Sequence, residues 1–119
     1  MTRFMIRYDP GDVVLLPFPF TDLSTIKQRP AVVVSSSRFN KVHRDIIVAA
    51  ITSHVSGTIF KTDHNIPKED LIHAGLPKPS LVKLSKIVTI DQRLVRKRLG
   101  CFSKRTTEKI LTQIRGMFC

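Results

Sequence analysis

The sequence has little cysteine, few acidic residues and no long apolar run, and each shortage removes a class of protein. Cys101 and Cys119 are the only cysteines in 119 residues, and they form neither a Cys-x-x-Cys pair nor a zinc spacing. A disulfide framework is thereby excluded, and reduced thiols in a cytoplasm are expected. The longest apolar run, residues 46–51, falls far short of the roughly 20 residues that a membrane helix needs. Arg3 and Arg7 interrupt the amino terminus where an export signal would carry its apolar stretch, so neither insertion nor export is expected. The Gly-rich phosphate loop, the His-Glu-x-x-His zinc helix and the Gly-x-Ser-x-Gly elbow are also missing. Ser80-Leu81-Val82-Lys83 has the Ser-x-x-Lys spacing of acyl-transfer enzymes, but it stands in a strand-like segment without companion motifs and is read as coincidence. No metal site and no cofactor are indicated.

What is abundant is positive charge. Twenty Lys plus Arg face nine Asp plus Glu, for a net +11, a balance typical of proteins that meet polyanions. Much of it is concentrated. Residues 83–109 hold nine basic side chains against Asp91 and Glu108 alone. Hydrophobic residues make up 42% and charged residues 24%, which is globular composition and not that of a disordered chain. At this length residues 1–119 read as a single domain able to bury roughly two thirds of its unfolded surface.

Periodicity then divides the chain. After the turn signal Pro10-Gly11-Asp12, "VVLLPF" reads as a first strand broken at Pro17 and Pro19. Residues 21–28, "TDLSTIKQ", read as an exposed loop. Residues 31–35 and 46–52 are near-continuous β-branched runs, as expected of buried central strands, with "SSRFNKVHRD" a polar turn between them. A weak edge strand is expected over residues 58–61, after a Gly57 turn. Pro67 opens a short helix with acids in its first turn, and Gly75 stops it. Residues 81–90 alternate as a strand, residues 91–99 are ambiguous, and "RLGCFS" suggests a last short strand. Ile110, Leu111, Ile114, Met117 and Phe118 recur at helical spacing, predicting an amphipathic helix over residues 106–118 capped by Thr106 or Thr107. Several strands with two helices predict a mainly β fold with minor α, an antiparallel barrel or sandwich.

Two positions stand out for chemistry. Pro30 forces Arg29 into extended backbone, so its side chain projects from a fixed strand start. The plain alternative is an arginine whose stem covers apolar surface while its head stays in water. Among His43, His54, His64 and His73, only His54 follows directly on a strand end, where scaffolds commonly present reactive groups.

The fragments "GDVVLLPFPFTDL", "RPAVVVSS", "IIVAAITS", "GLPKPSLVKLSKIVTID" and "RLGCFS" occur in an order that resembles the MazF/PemK family of ribonuclease toxins, from Gly11 to the terminal helix. The resemblance implies a small SH3-like antiparallel β-barrel, usually a homodimer, that cleaves single-stranded RNA without a metal, leaving a cyclic phosphate and a 5′-hydroxyl. It also implies a cognate antitoxin as partner. The family's catalytic arginine and threonine match Arg29 and Thr52. Lys27, Gln28, Ser53, His54, Lys83, Ser85 and Lys86 are the RNA-binding candidates that go with them. Departures occur where family members carry an acid and a glutamine and this chain has Ser85 and Lys86, and in the loop "TIKQ". They leave Asp22 or His54 as candidates for the general base, or a slow enzyme relying on Arg29. A non-enzymatic toxin, or an RNA-binding relic of the same fold, is the alternative.

Overall fold

The computed structural model describes residues 6–18, 27–53 and 59–118. Its elements are β1 (Asp12–Phe18), β2 (Lys27–Val33), α1 (Ser37–Val42), β3 (Asp45–Thr52), β4 (Asp63–Asn65), α2 (Lys68–His73), β5 (Leu81–Asp91), a 3-10 turn (Gln92–Leu94), β6 (Lys97–Cys101) and α3 (Lys104–Gly116). The strands form one six-stranded sheet in the order β4-β5-β3-β2-β1-β6, with antiparallel pairing throughout. The fold is therefore mainly β, as the sequence predicts, but the expected closed barrel is not formed. Closure requires a ladder between the two edge strands, and β4 and β6 are not paired with each other. Helices hold the edges instead. On β4, His64 Nδ1 lies 2.5 Å from Gln113 Oε1 of α3. On β6, Gly100 packs so closely under α2 that a Cβ there would collide with the His73 carbonyl oxygen.

The β-branched runs explain the core. Because strand side chains alternate between faces, Val13, Val32, Ala49, Ile51, Val82 and Leu84 fall on one side, where Ala74, Leu76, Phe102 and Ile110 cover them. Val14, Leu16, Ala31, Val33, Ile46, Val48 and Ala50 fall on the other and pack with Tyr8 and Ile90. Both faces are apolar, which is why these strands read as continuous hydrophobic runs.

Prolines do not end the strands. β1 continues through Pro17 to Phe18, and Pro17 lies beyond the β1–β6 pairing, which stops at Leu15. Pro30 likewise lies inside β2 but outside the β2–β3 pairing of Ala31 to Val33. Each occupies a stretch with one open edge, where a missing N–H is tolerated.

Other expectations are corrected. "SSRFNKVHRD" contains α1, with Ser36 as N-cap accepting from Phe39 N at 3.1 Å. Its buried anchor is polar: Asn40 Nδ2 donates to Tyr8 O (2.8 Å) and Ser35 O (3.1 Å), and its Oδ1 accepts from Ser35 Oγ. The edge strand is Asp63–Asn65, later than expected, while residues 61–62 form a turn. Gly57 and Thr58 lie outside the described residues. Ser103, not Thr106 or Thr107, caps α3 through Thr106 N (3.2 Å), and it also donates to the buried Asp70 carboxylate (3.2 Å). Ile110, Ile114 and Met117 pack on the sheet, whereas Phe118 is exposed. Gly75 ends α2 as expected, at φ 70°, with Leu76 N bonded to Leu71 O (2.9 Å) and Gly75 N to Ile72 O (3.1 Å).

Candidate functional site

Register places the two residues singled out by sequence. β2 and β3 pair as Ala31 with Ala50, Val32 with Ala49 and Val33 with Val48. The pairing ends at Ala31 and Ala50, so Arg29 and Thr52 each stand two residues beyond the last pair, at the same end of the two strands. Parity agrees: Arg29 alternates with Ala31 and Val33, and Thr52 with Ala50 and Val48, all on the Tyr8 face of the sheet. Arg29 is exposed at the open end of β2, and Thr52 is half-buried as the last residue of β3. Rigid ladders hold both backbones, through Leu16 for Arg29 and Leu81 for Thr52.

β5 brings the next group. Leu81 pairs with Thr52, and Lys83 pairs with Ala50, so Lys83 is a diagonal neighbour of Thr52 on the same face. Diagonal neighbours lie about 7–8 Å apart, within reach of a long side chain. The Lys83 ammonium is tied back to Asp63 of β4, with Nζ 3.4 Å from both carboxylate oxygens. Opposite charges in cross-strand register produce this pair, since Asp63 stands directly opposite Lys83. Nothing in the sequence singles out Asp63, because only the register shows which lysine faces it.

The remaining candidates are less uniformly placed. Lys27 shares a face with Arg29 two residues further along β2, while Gln28 points to the opposite face; both are exposed. Ser53 is exposed in the bend just past Thr52. Ser85 and Lys86 are exposed in a bulge, because β3 passes directly from Ala49 (paired with Ile87) to Ala50 (paired with Lys83), which puts residues 84–86 outside the β3–β5 register. They stand beside the middle of β3 and not at its end. His54 and Asp22 lie outside the described residues. Among the described residues no group of three or more His, Cys, Asp or Glu could hold a metal ion, and no helix is long and apolar enough to cross a membrane.

As chemistry, the strand ends form a small cationic face. A guanidinium with a fork of donors and a hydroxyl stand on one face at the same end of neighbouring strands, and the lysine is a diagonal neighbour of the threonine. Such a set suits a tetrahedral anion, since guanidinium binds phosphate oxygens in bidentate fashion and a hydroxyl adds a further donor.

No curated protein sequence matches the chain. Solved structures do. An endoribonuclease from a Mycobacterial species superposes with TM-score 0.74 at 21% identity, covering 98% of this chain and 95% of that one. MazF from Deinococcus radiodurans gives TM-score 0.74 at 21% identity, over 96% and 98%. A Mycobacterial endoribonuclease in complex with its cognate antitoxin gives 0.72 at 18%, over 92% and 93%. At these identities the likeness is one of fold. The family profile described as PemK-like, MazF-like toxin of type II toxin-antitoxin system matches residues 9–118, and the chain belongs to that family.

Proposed function

We propose that this protein is an endoribonuclease toxin that cleaves single-stranded RNA without a metal ion, and that a cognate antitoxin neutralises it. The feature that supports the reading is that Arg29 and Thr52 stand on one face, each two residues beyond the last β2–β3 pair, at the same end of neighbouring strands. In the reaction a ribose 2′-oxygen attacks the adjacent phosphorus and gives up its proton. The new O2′–P bond leaves a 2′,3′-cyclic phosphate as the P–O5′ bond breaks, and the departing O5′ takes a proton to become a 5′-hydroxyl. Negative charge grows on the non-bridging oxygens, and the Arg29 guanidinium stabilises it where it develops. Thr52 donates a hydrogen bond to the same phosphate and fixes its orientation. Arginine keeps its proton in proteins, so its role is electrostatic.

The net charge of +11 favours a polyanionic substrate. The fold neighbours named as endoribonucleases, one of them bound to its cognate antitoxin, support the same reading. The working form is a cytoplasmic homodimer, and the antitoxin lays an acidic or amphipathic segment across the basic face. Lys27, Ser53 and Lys83 contact the RNA around the scissile step, and Ser85 and Lys86 meet it further along the chain.

The test is cleavage of random-sequence RNA in the presence of a chelator, with product ends identified by their phosphatase and kinase sensitivity. Cyclic phosphate and 5′-hydroxyl ends are expected, and all-deoxy substrate should survive because it lacks the nucleophile. RNA left intact under these conditions, or cut with 5′-phosphate ends, refutes the proposal.

A further inference from the structure

Just before β4, across β5 from Thr52, the structure carries an aromatic side chain in an unusual setting. Phe60 is 60% exposed, yet its backbone is firmly held. Its N–H donates to Asp63 Oδ2 (2.9 Å), and its carbonyl accepts from Asp63 N (2.9 Å), closing the turn 60–63. Both central carbonyls of that turn are also engaged. Lys61 O accepts from Gln113 Nε2 of α3 (3.2 Å), and Thr62 O accepts from Leu84 N of the β5 bulge (2.8 Å). A large apolar ring facing water on a backbone pinned from three sides has little freedom to lose on binding.

The carboxylate that pins it is costly. The Asp63 side chain is only 1% exposed, and its Oδ1 has no hydrogen-bond partner, a burden a buried polar atom carries only where something compensates. The compensation is the Lys83 ammonium at 3.4 Å, whose side chain stays 27% exposed. Nζ of Lys83 in turn lies 5.9 Å from the centroid of the Phe60 ring. One buried acid therefore fixes both an exposed aromatic ring and a half-exposed cation beside it, and the cation is the diagonal neighbour of Thr52.

We infer that Phe60 and Lys83, positioned together by Asp63, form a nucleotide subsite that stacks an unpaired RNA base on the Phe60 ring and holds its phosphate at Lys83, next to the scissile phosphate. This rests on the endoribonuclease reading above and adds to it where the neighbouring base is held. Single-stranded nucleic acid is bound by this combination of an aromatic face for the base and a cation for the backbone, because every base has a stackable face and every phosphate a charge. Phe60 and Lys83 touch the RNA, whereas Asp63 is a positioning residue. Two residues along β5 separate Lys83 from the residue opposite Thr52, a rise of about 7 Å, so the subsite serves the nucleotide next to the cut and not the cut itself.

The sequence contains no tryptophan, so Phe60→Trp introduces a single indole reporter at the proposed stacking surface. It is titrated with random-sequence 2′-fluoro RNA, which lacks the nucleophile, while anisotropy of a dye on the RNA reports binding independently. Saturable quenching of the indole emission at the same midpoint as the anisotropy is expected, and Ile72→Trp on exposed α2 should show no quenching. Phe60→Ala should raise Kd by about 5- to 100-fold, the loss of one stacked base. Lys83→Gln should lower the slope of log Kd against log salt by about 0.7, one phosphate on a single strand. Asp63→Asn, placed in the Phe60→Trp background, should keep the salt slope and lose the quenching, which a purely structural role would not separate. RNA that binds the Phe60→Trp protein with its indole emission unchanged overturns the subsite while leaving the nuclease reading intact. Failure of the unmodified protein to bind the RNA at all overturns the nuclease reading and the subsite with it.

Discussion

If Arg29 and Thr52 grip one phosphate, they must be energetically coupled, and a double-mutant cycle measures this. Arg29→Ala truncates an exposed side chain near the open end of β2, and its effect on folding is measured alongside its effect on rate. Thr52→Val keeps the shape of a half-buried side chain and deletes only the hydroxyl. Loss of a preorganised donor to a developing oxyanion costs about 2.7–4 kcal/mol, or roughly 100- to 1,000-fold in rate. Arg29 supplies charge as well as donors, so Arg29→Ala belongs at or above the top of that range and Thr52→Val at or below its bottom. Both residues stand on one face at the same end of neighbouring strands, and residues sharing a partner couple by about 0.5–3 kcal/mol. The double variant should therefore be faster than the product of the two single losses predicts. Single-turnover cleavage of a fluorescently quenched RNA in a chelator gives the four rates, and urea melts of the four proteins separate any loss of folding from loss of chemistry. Multiplicative losses would falsify the shared phosphate, and a wild-type rate for Arg29→Ala would remove Arg29 from the chemistry.

Two further outcomes test the scaffold. Asn40→Ala leaves the Tyr8 and Ser35 carbonyls and the Ser35 hydroxyl without their partner, and should cost at least about 1–3 kcal/mol in urea unfolding; an unchanged midpoint would show that α1 is held by something else. Burial pushes the Asp12 carboxyl above its ordinary value, against the lowering effects of the Asp9 backbone hydrogen bond and Arg98. With a raised native pKa the folded state holds the proton more tightly than the unfolded state, so this group's contribution to stability falls as pH rises from 3.8 through the native pKa. Asp12→Asn should accordingly gain stability relative to wild type over that rise in thermal melts, and a constant difference across the range would contradict the shift.

The residues differ in how plainly the sequence announces them. β3 and the Ala31–Val33 end of β2 are legible because both faces of the sheet are apolar there, which writes continuous Val, Ile and Ala runs into the chain, whereas β5 is legible from its alternation. α2 is legible from its proline and glycine, whose backbone restrictions act locally. α1 is not, because its buried anchor is Asn40 and its exposed residues include Val42, so polar and apolar positions are exchanged relative to an ordinary amphipathic helix. The strand continuing through Pro17 is hidden for a related reason: whether a proline breaks a strand depends on whether its edge is paired, and pairing is not a local property.

Arg29 and Thr52 can be found from sequence as individual residues in recognisable surroundings, and Lys83 as part of a charge cluster. Their relation to one another is not there to read, since residues 23 apart in the chain are brought to one end of the sheet only through the β2–β3 register. The same holds for Asp63, an unremarkable acid until β4 pairs with β5 and sets it against Lys83. Composition and local patterning determined that this chain is basic, mainly β and helical at its end, because charge, hydrophobic period and backbone restriction are properties of neighbouring residues. Only the tertiary structure decided that the sheet stays open and which side chains share its face, because strand order and register are set by packing between segments far apart in the chain.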